Sequence, residues 1–348
     1  MIIIGCDFHS RFQQIALLDT ETGEIEERRL EHESGEAGEF YRGLKEPALV
    51  GMESTGYAIW FEELLSERGH QLVVGDAARI RAQVVRKQKT DRNDALHLLE
   101  LLRRGDFPRI WMPSVEDGDT RVLLQHRHNL VQMRTRVKNG LQALAMTYGV
   151  YRRWKLWTLR GQCELRHLPL RAGMARRRAD LIPLLKQFND WIEELDELLV
   201  QEVERRVEAT RLLTHPGVGP LTALAAILIL GPAERFENGK KVASYVGLIP
   251  TESSSGGRQH FGRLSKQGNR LLRCLLVEAG QSACRGDPGL RRWYQRLVFR
   301  KGPQKAKAAV ARKLAIRLYV MLRDQIDYRE FCRRGSHAGM PGNFLISP

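Results

Sequence analysis

Short apolar runs, each broken by polar or turn residues, dominate the first hundred positions. Ile2, Ile3 and Ile4 form a β-branched run that ends at Asp7, the pattern of a buried strand. A second strand is expected over 13–19, a turn at Thr22-Gly23 and a third strand over 25–30, so the chain opens as a β-meander. Residues 36–44 have the period of a short amphipathic helix. Residues 48–53 are another apolar strand, and it too ends on a carboxylate, Glu53. A helix over 57–68, a strand over 71–74, a helical stretch over 77–85 and a helix over 95–104 complete this part.

From there the period changes. Leu123, Leu130, Val131, Val137, Leu141 and Leu144 recur at helical spacing and predict a long basic helix over 122–148. Arg127, Arg134, Arg136 and Lys138 share its remaining surface, which suits either a solvated face or a phosphate backbone. Residues 151–178 read as a basic, irregular segment holding Trp154, Trp157 and Arg176 to Arg178; the aromatics suit stacking on unpaired bases or packing against a helix. Phe188, Trp191, Leu195 and Leu198 mark an acidic amphipathic helix, a coiled-coil partner or a bundle strut. Residues 221–230 are too apolar for a surface helix and belong in a core. Helices are expected over 271–284 and 305–326, the second with a basic face of Lys305, Lys307, Arg312, Lys313 and Arg317. Residues 333–348 show no period and read as a loose tail.

Composition sharpens this outline. The 348 residues carry 56 Lys and Arg against 41 Asp and Glu, a formal net charge of +15. Residues 1–115 sum to −5, 116–210 to +4 and 211–348 to +16. An acidic first part and a strongly basic last part imply different roles, and the basic part suits a polyanion, nucleic acid foremost. No apolar run approaches the ~20 residues that span a bilayer, and the first strand leads straight into Asp7 and His9, so neither a membrane span nor a signal peptide is expected. The 5 cysteines are scattered without a CxxC pair, which argues for a reducing compartment and against a disulfide framework or structural zinc.

Four carboxylates carry the candidate chemistry. Asp7 and Glu53 end two strands of a sheet that begins with a meander, a ribonuclease-H-like layout. Asp91 and Asp94 lie three apart near a helix start, on one face and about 5–6 Å apart. Four such groups suit two divalent ions roughly 3.5–4 Å apart, the arrangement that activates an attacking oxygen and stabilises a leaving one in phosphodiester chemistry. Hard cations such as Mg²⁺ prefer oxygen ligands. Taken alone, Asp91 reads more readily as an N-cap, with Asp94 one turn on favoured by the helix dipole; the combination with Asp7 and Glu53 is what points to a metal site. Asp76 also follows a strand and competes for one ligand place.

Two later motifs suit phosphates. Pro216-Gly-Val-Gly-Pro220, between two helices, resembles a helix-hairpin-helix turn, in which Gly217 and Gly219 would let backbone N–H groups approach a phosphate; a tight turn between packed helices is the plain alternative. The Ser253-Ser-Ser-Gly-Gly257 stretch is followed by Arg258, Arg263, Lys266, Arg270 and Arg273, which supply small residues for close approach and cations for neutralisation; a flexible surface loop explains the composition equally well.

Together, Ile4-Gly-Cys-Asp7, Met52-Glu53-Ser-Thr-Gly-Tyr57 and Lys89-Thr-Asp-Arg-Asn-Asp94-Ala resemble the amino-terminal domain of the insertion sequence 110 family (110/1111 group) of DEDD transposases, the bridge-RNA-guided recombinases. Gly247-Leu-Ile-Pro250, Ser255-Gly256 and Ser265-Lys-Gln-Gly-Asn-Arg-Leu-Leu-Arg273 look like that family's carboxy-terminal domain. The resemblance spans residues 1 to about 325. It implies an α/β RNase-H-like (RuvC-like) DEDD domain over 1–115, a helical, coiled-coil linker supporting dimerisation over 116–210, a mostly α-helical transposase domain with a helix-hairpin-helix-like motif over 211–330, and a tail over 331–348. Asp7, Glu53, Asp91 and Asp94 would hold Mg²⁺, and Ser255 (Ser254 second, Ser253 third) would attack a DNA phosphodiester. A bridge RNA would choose donor and target DNA, with dimers assembling to tetramers in the bacterial cytoplasm, at the nucleoid. The rivals are a RuvC-type Holliday-junction endonuclease, which needs the carboxylates but no serine, and a catalytically dead nucleic-acid-binding scaffold.

Overall fold

The computed structural model describes residues 1–56, 58–84, 90–151, 155–253 and 260–335. They fall into two compact units, Met1–Met112 and Pro113–Pro348.

In the first unit, β1 (Ile2–Phe8), β2 (Phe12–Asp19) and β3 (Ile25–Glu31) form the meander. Then come α1 (Glu36–Gly43), β4 (Ala48–Glu53), α2 (Ile59–Glu67), β5 (Gln71–Gly75), α3 (Ala77–Ala82) and α4 (Asp91–Arg104). The five strands make one mixed sheet in the order β3-β2-β1-β4-β5. β1 runs antiparallel to β2 and parallel to β4. Its apolar run reflects burial on both faces. Ile4 and Cys6 pack with Tyr41, Phe61 and Leu65 on one side, while Ile3 packs with Ala95, Leu98 and Leu99 of α4 on the other. Gly5 decides how near α4 comes: a β-carbon there would lie 2.3 Å from both Ala95 O and Leu99 N. The helix backbone therefore lies directly on the strand that carries Asp7.

α4 begins four residues before the start expected from hydrophobic period. Thr90, not Asp91, is its N-cap, accepting the Asn93 N–H at 3.2 Å, so Asp91 is the first helical residue and Asp94 lies in the same turn. The capping turn is polar, which hid it from a reading of apolar spacing.

The second unit is mostly helical. α5 (Val115–Thr147), α6 (Leu159–His167) and α7 (Ala172–Glu204) come first, then α8 (Val207–Leu213), α9 (Pro220–Leu230), a 3-10 turn and α10 (Gly239–Tyr245). A small hairpin of β6 (Pro250–Glu252) and β7 (Phe261–Leu264) leads to α11 (Arg270–Gly286), α12 (Pro288–Lys301), α13 (Pro303–Arg323) and α14 (Tyr328–Arg334). At 33 residues each, α5 and α7 are about 50 Å long. They pair antiparallel: Arg127 donates to both Asp196 oxygens at 2.8 and 2.9 Å, Arg134 reaches Asn189, and Arg206 pairs with Asp117. The acidic amphipathic helix thus finds a partner within its own chain. α9 is the apolar centre, packed with Leu199 and Val203 of α7, Leu272 and Leu276 of α11 and Leu314 and Leu318 of α13.

Several elements differ from expectation. Part of the segment expected to be irregular over 151–178 is α6 and the first turns of α7, whose arginine-rich surface has little apolar period. α12 was not anticipated, because Leu290 is its one buried residue. β6 and β7 occupy the flanks of what read as a loop. α14 extends to Arg334, into the stretch that read as tail. All five cysteines are free, and no described helix is long and apolar enough to cross a membrane.

Candidate functional site

Asp7 stands at the carboxyl end of β1, half-buried. Glu53 ends the neighbouring parallel strand, one residue past the Cys6–Met52 pair. Because α4 rests on Gly5, its first turn brings Asp91 to Asp7. His9, just beyond β1, closes the group: its Nε2 lies 3.1 Å from Asp7 Oδ2 and 3.7 Å from Asp91 Oδ1. One ligand atom from each of Asp7, His9 and Asp91 lies within 4.8 Å of the others. Glu53 and Asp94 are outside this trio, although the Asp94 charge still acts on Asp7.

Burial raises the Asp7 carboxyl above its ordinary range; the His9 interaction opposes this, and the Asp94 and Asp91 charges add to it. A carboxylate so placed is made easier to ionise by a cation. Two carboxylates and an imidazole nitrogen, converging with no lysine or arginine paired to them among the described residues, fit a divalent metal. His9 is the member that sequence reading missed. Its signal was present only as a histidine two residues past the strand-end aspartate. Asp76, the competitor, serves its own helix, its Oδ1 accepting the Ala78 and Arg79 N–H groups as N-cap of α3. Cys6, beside Asp7, is a core residue whose thiol donates to Gln13 Oε1 at 3.2 Å and is pushed upward in pKa by burial.

A cluster of aromatic rings packs on the other face of β1. Phe8, adjacent to Asp7, lies 4.9 Å from the His32 ring, and Trp60 meets His32 edge-on at 4.9 Å. Trp60 and Ile59 remain exposed at the start of α2.

In the second unit, Ser254, Ser255 and Arg258 lie outside the described residues. The hairpin brackets them: Ser253 N donates to His260 O at 2.9 Å, and Thr251 Oγ1 to Arg263 O at 3.1 Å. Arg263, Lys266 and Arg270 are exposed. Arg273 is differently placed. Its Nη1 donates to Val246 O at 2.9 Å and Gln267 O at 3.0 Å, so it clasps two loops together. Gly217 has a φ of +80°, and a β-carbon on it would lie 2.2 Å from Ala283 N, so its close approach is to α11. Gly219 and Pro220, at the start of α9, face solvent. On the basic face expected of α13, Arg317 is committed to Asp287 at 2.6 Å. α12 adds a basic surface that apolar spacing did not reveal: Arg292, Arg296 and Arg300 are exposed beside Phe299, which is 93% exposed.

Comparison with known proteins matches both parts of the chain. Residues 4–149 match the DEDD transposase model of IS110, and residues 209–295 match the model described as "Transposase IS116/IS110/IS902 family". A "Probable family 20 transposase" of Pseudomonas aeruginosa is 29% identical over 342 residues, 94% of this chain and 98% of its own length. The "Putative transposase y4rJ" of Sinorhizobium fredii is 30% identical over 307 residues, covering 79% and 76%. The "Transposase for insertion sequence element IS1111A" of Coxiella burnetii is 29% identical over 261 residues, covering 70% of each. A mixed sheet with strand-end carboxylates, followed by a mostly helical region, is consistent with a DEDD transposase. The chain belongs to the IS110 family of DEDD insertion-sequence transposases.

Proposed function

We propose that this transposase cuts and rejoins DNA through a metal-assisted serine attack, with a bridge RNA selecting donor and target. The observation that carries the metal half is the meeting of Asp7, His9 and Asp91 from separate parts of the chain. Asp7, Glu53, Asp91 and Asp94 are the proposed Mg²⁺ ligands, with His9 beside them. A bound divalent ion would lower the barrier by stabilising charge on the attacking and leaving oxygens. The strand order, antiparallel across β3-β2-β1 and parallel across β1-β4-β5, supports an RNase-H-like reading of the first unit.

Ser255, with Ser254 and Ser253 as neighbours, is the proposed nucleophile. Its Oγ forms a bond to phosphorus as one P–O bond to deoxyribose breaks, and the proton ends on the released hydroxyl. A hydroxyl from a second strand reverses the step. Arg263, Lys266 and Arg270 are exposed near the bracketed serines in sequence and suit phosphate neutralisation; Arg258 joins them on sequence alone. Gly219 and the start of α9 keep the helix-hairpin-helix reading for DNA phosphate, whereas Gly217 serves packing. A homodimer assembling to a tetramer is part of the same proposal.

The test uses the full chain with donor DNA, target DNA and RNA transcribed from the element's flanking sequence. Strand exchange and a covalent protein–DNA adduct are expected with Mg²⁺. Asp7→Asn should remove both. Ser255→Ala should remove the adduct, and retention of full exchange by Ser253→Ala, Ser254→Ala and Ser255→Ala alike overturns the serine mechanism. Exchange that is indifferent to the RNA overturns its guiding role.

A further inference from the structure

A cleft of about 800 Å³ opens among α12, α13 and α14, within the second unit. Trp293 forms one wall, Arg312 and Lys313 another, and Tyr328 and Phe331 a third. The Tyr328 and Phe331 rings lie nearly parallel, 13° apart in plane. Lys313 Nζ sits 4.6 Å from the centre of the Trp293 ring. Flat apolar faces beside cations are what a nucleotide needs: the base stacks, and the phosphate is neutralised.

The charges support an anion. Asp287 is the single carboxylate among the described lining residues, and it is already taken. Its Oδ2 accepts from Arg317 at 2.6 Å and from Tyr328 OH at 2.9 Å, while Oδ1 caps α12 through the Leu290 N–H at 2.8 Å. Neither Arg312 nor Lys313 forms an ion pair among the described residues. Burial, with Arg317 nearby, lowers the Lys313 ammonium below its ordinary range, and the Asp287 charge only partly opposes this.

The size fits as well. Pockets of roughly 300–1,000 Å³ hold small organic ligands. In a duplex the base faces are stacked on one another, so aromatic walls in a cleft select a nucleotide out of its stack. We propose that the cleft among α12, α13 and α14 receives an unpaired nucleotide of a single-stranded nucleic acid, its base against Trp293 and Phe331 and its phosphate on Arg312 and Lys313. The inference rests on membership of a DNA transposase family and is independent of the serine and metal steps.

The test measures binding of the full chain to fluorescent oligo(dT), oligo(U) and a duplex of equal length. Lys313→Gln, Arg312→Gln and Phe331→Ala should each weaken single-strand binding about tenfold. Duplex affinity should stay within about twofold, because phosphate contacts elsewhere carry it. Lys313→Arg should keep most of the affinity. A 4-thiothymidine or 4-thiouridine strand should photocrosslink to the peptides holding Trp293 or Tyr328, and the strand that crosslinks names DNA or RNA as the source. The idea is overturned if the Gln variants, folded by thermal melting, bind single strands as wild type does. It is equally overturned if duplex binding falls in parallel, which would mark the cations as general surface charge.

Discussion

Gly5 and Leu99 meet backbone to backbone: a β-carbon on Gly5 would lie 2.3 Å from the Leu99 amide nitrogen. That contact sets the depth at which α4 rests on β1, and so the separation of Asp91 from Asp7. Gly5→Ala should force the helix outward, destabilising the first unit by about 1–3 kcal/mol. Thermal melting of the variant checks the loss. Activity should fall further than stability explains, since a shift of the first turn also separates the carboxylates.

The trio of Asp7, His9 and Asp91 leads to a metal-binding prediction. Mg²⁺ or Mn²⁺ should raise the melting temperature of the wild-type chain, and Asp7→Asn or Asp91→Asn should abolish the rise. An imidazole nitrogen favours Mn²⁺ over Mg²⁺. His9→Ala should therefore weaken Mn²⁺ more than Mg²⁺ in isothermal titration. An unchanged metal preference would remove His9 from the ligand set.

Arg273 and Arg270 are neighbours on one helix in different surroundings. Arg273 holds two carbonyls, so Arg273→Ala should destabilise the loops by about 1–3 kcal/mol and speed proteolysis near the β6–β7 hairpin. Arg270 is exposed, so Arg270→Ala should leave melting unchanged. Its effect should appear in DNA binding, with the slope of log affinity against log salt reduced by about 1.

Acid should unfold the second unit through His215 and Asp287. Burial lowers His215 from 6.5 to about 4, so the neutral ring is the form the fold accepts. Its contribution is complete above pH 6.5 and is lost as pH falls toward 4, on the order of 3 kcal/mol. Burial alone would raise Asp287, but hydrogen bonds from Arg317, the Leu290 N–H and Tyr328 hold it at about 2. Its contribution is present above its ordinary 3.8 and disappears as pH falls through about 2. Denaturant melts from pH 7 to 4 should fall for the wild type and flatten for His215→Gln.

The sequence by itself determined the elements whose signals are local. Ile2–Ile4 and the run ending at Glu53 are strands because their apolar residues are contiguous, and the carboxylates at their ends were legible from position alone. Asp91 and Asp94 were legible as a pair three residues apart. α12 escaped because a helix with one buried residue has almost no apolar period. Tertiary structure decided the rest. His9 joins the carboxylates only once the β1–β2 turn and α4 are docked. Gly217 admits α11, and Arg273 clasps two loops, contacts that only the packed chain supplies. The physical reason is the same in each case. A glycine or an arginine announces that something will approach closely or accept a hydrogen bond, and only packing brings that partner from tens of residues away.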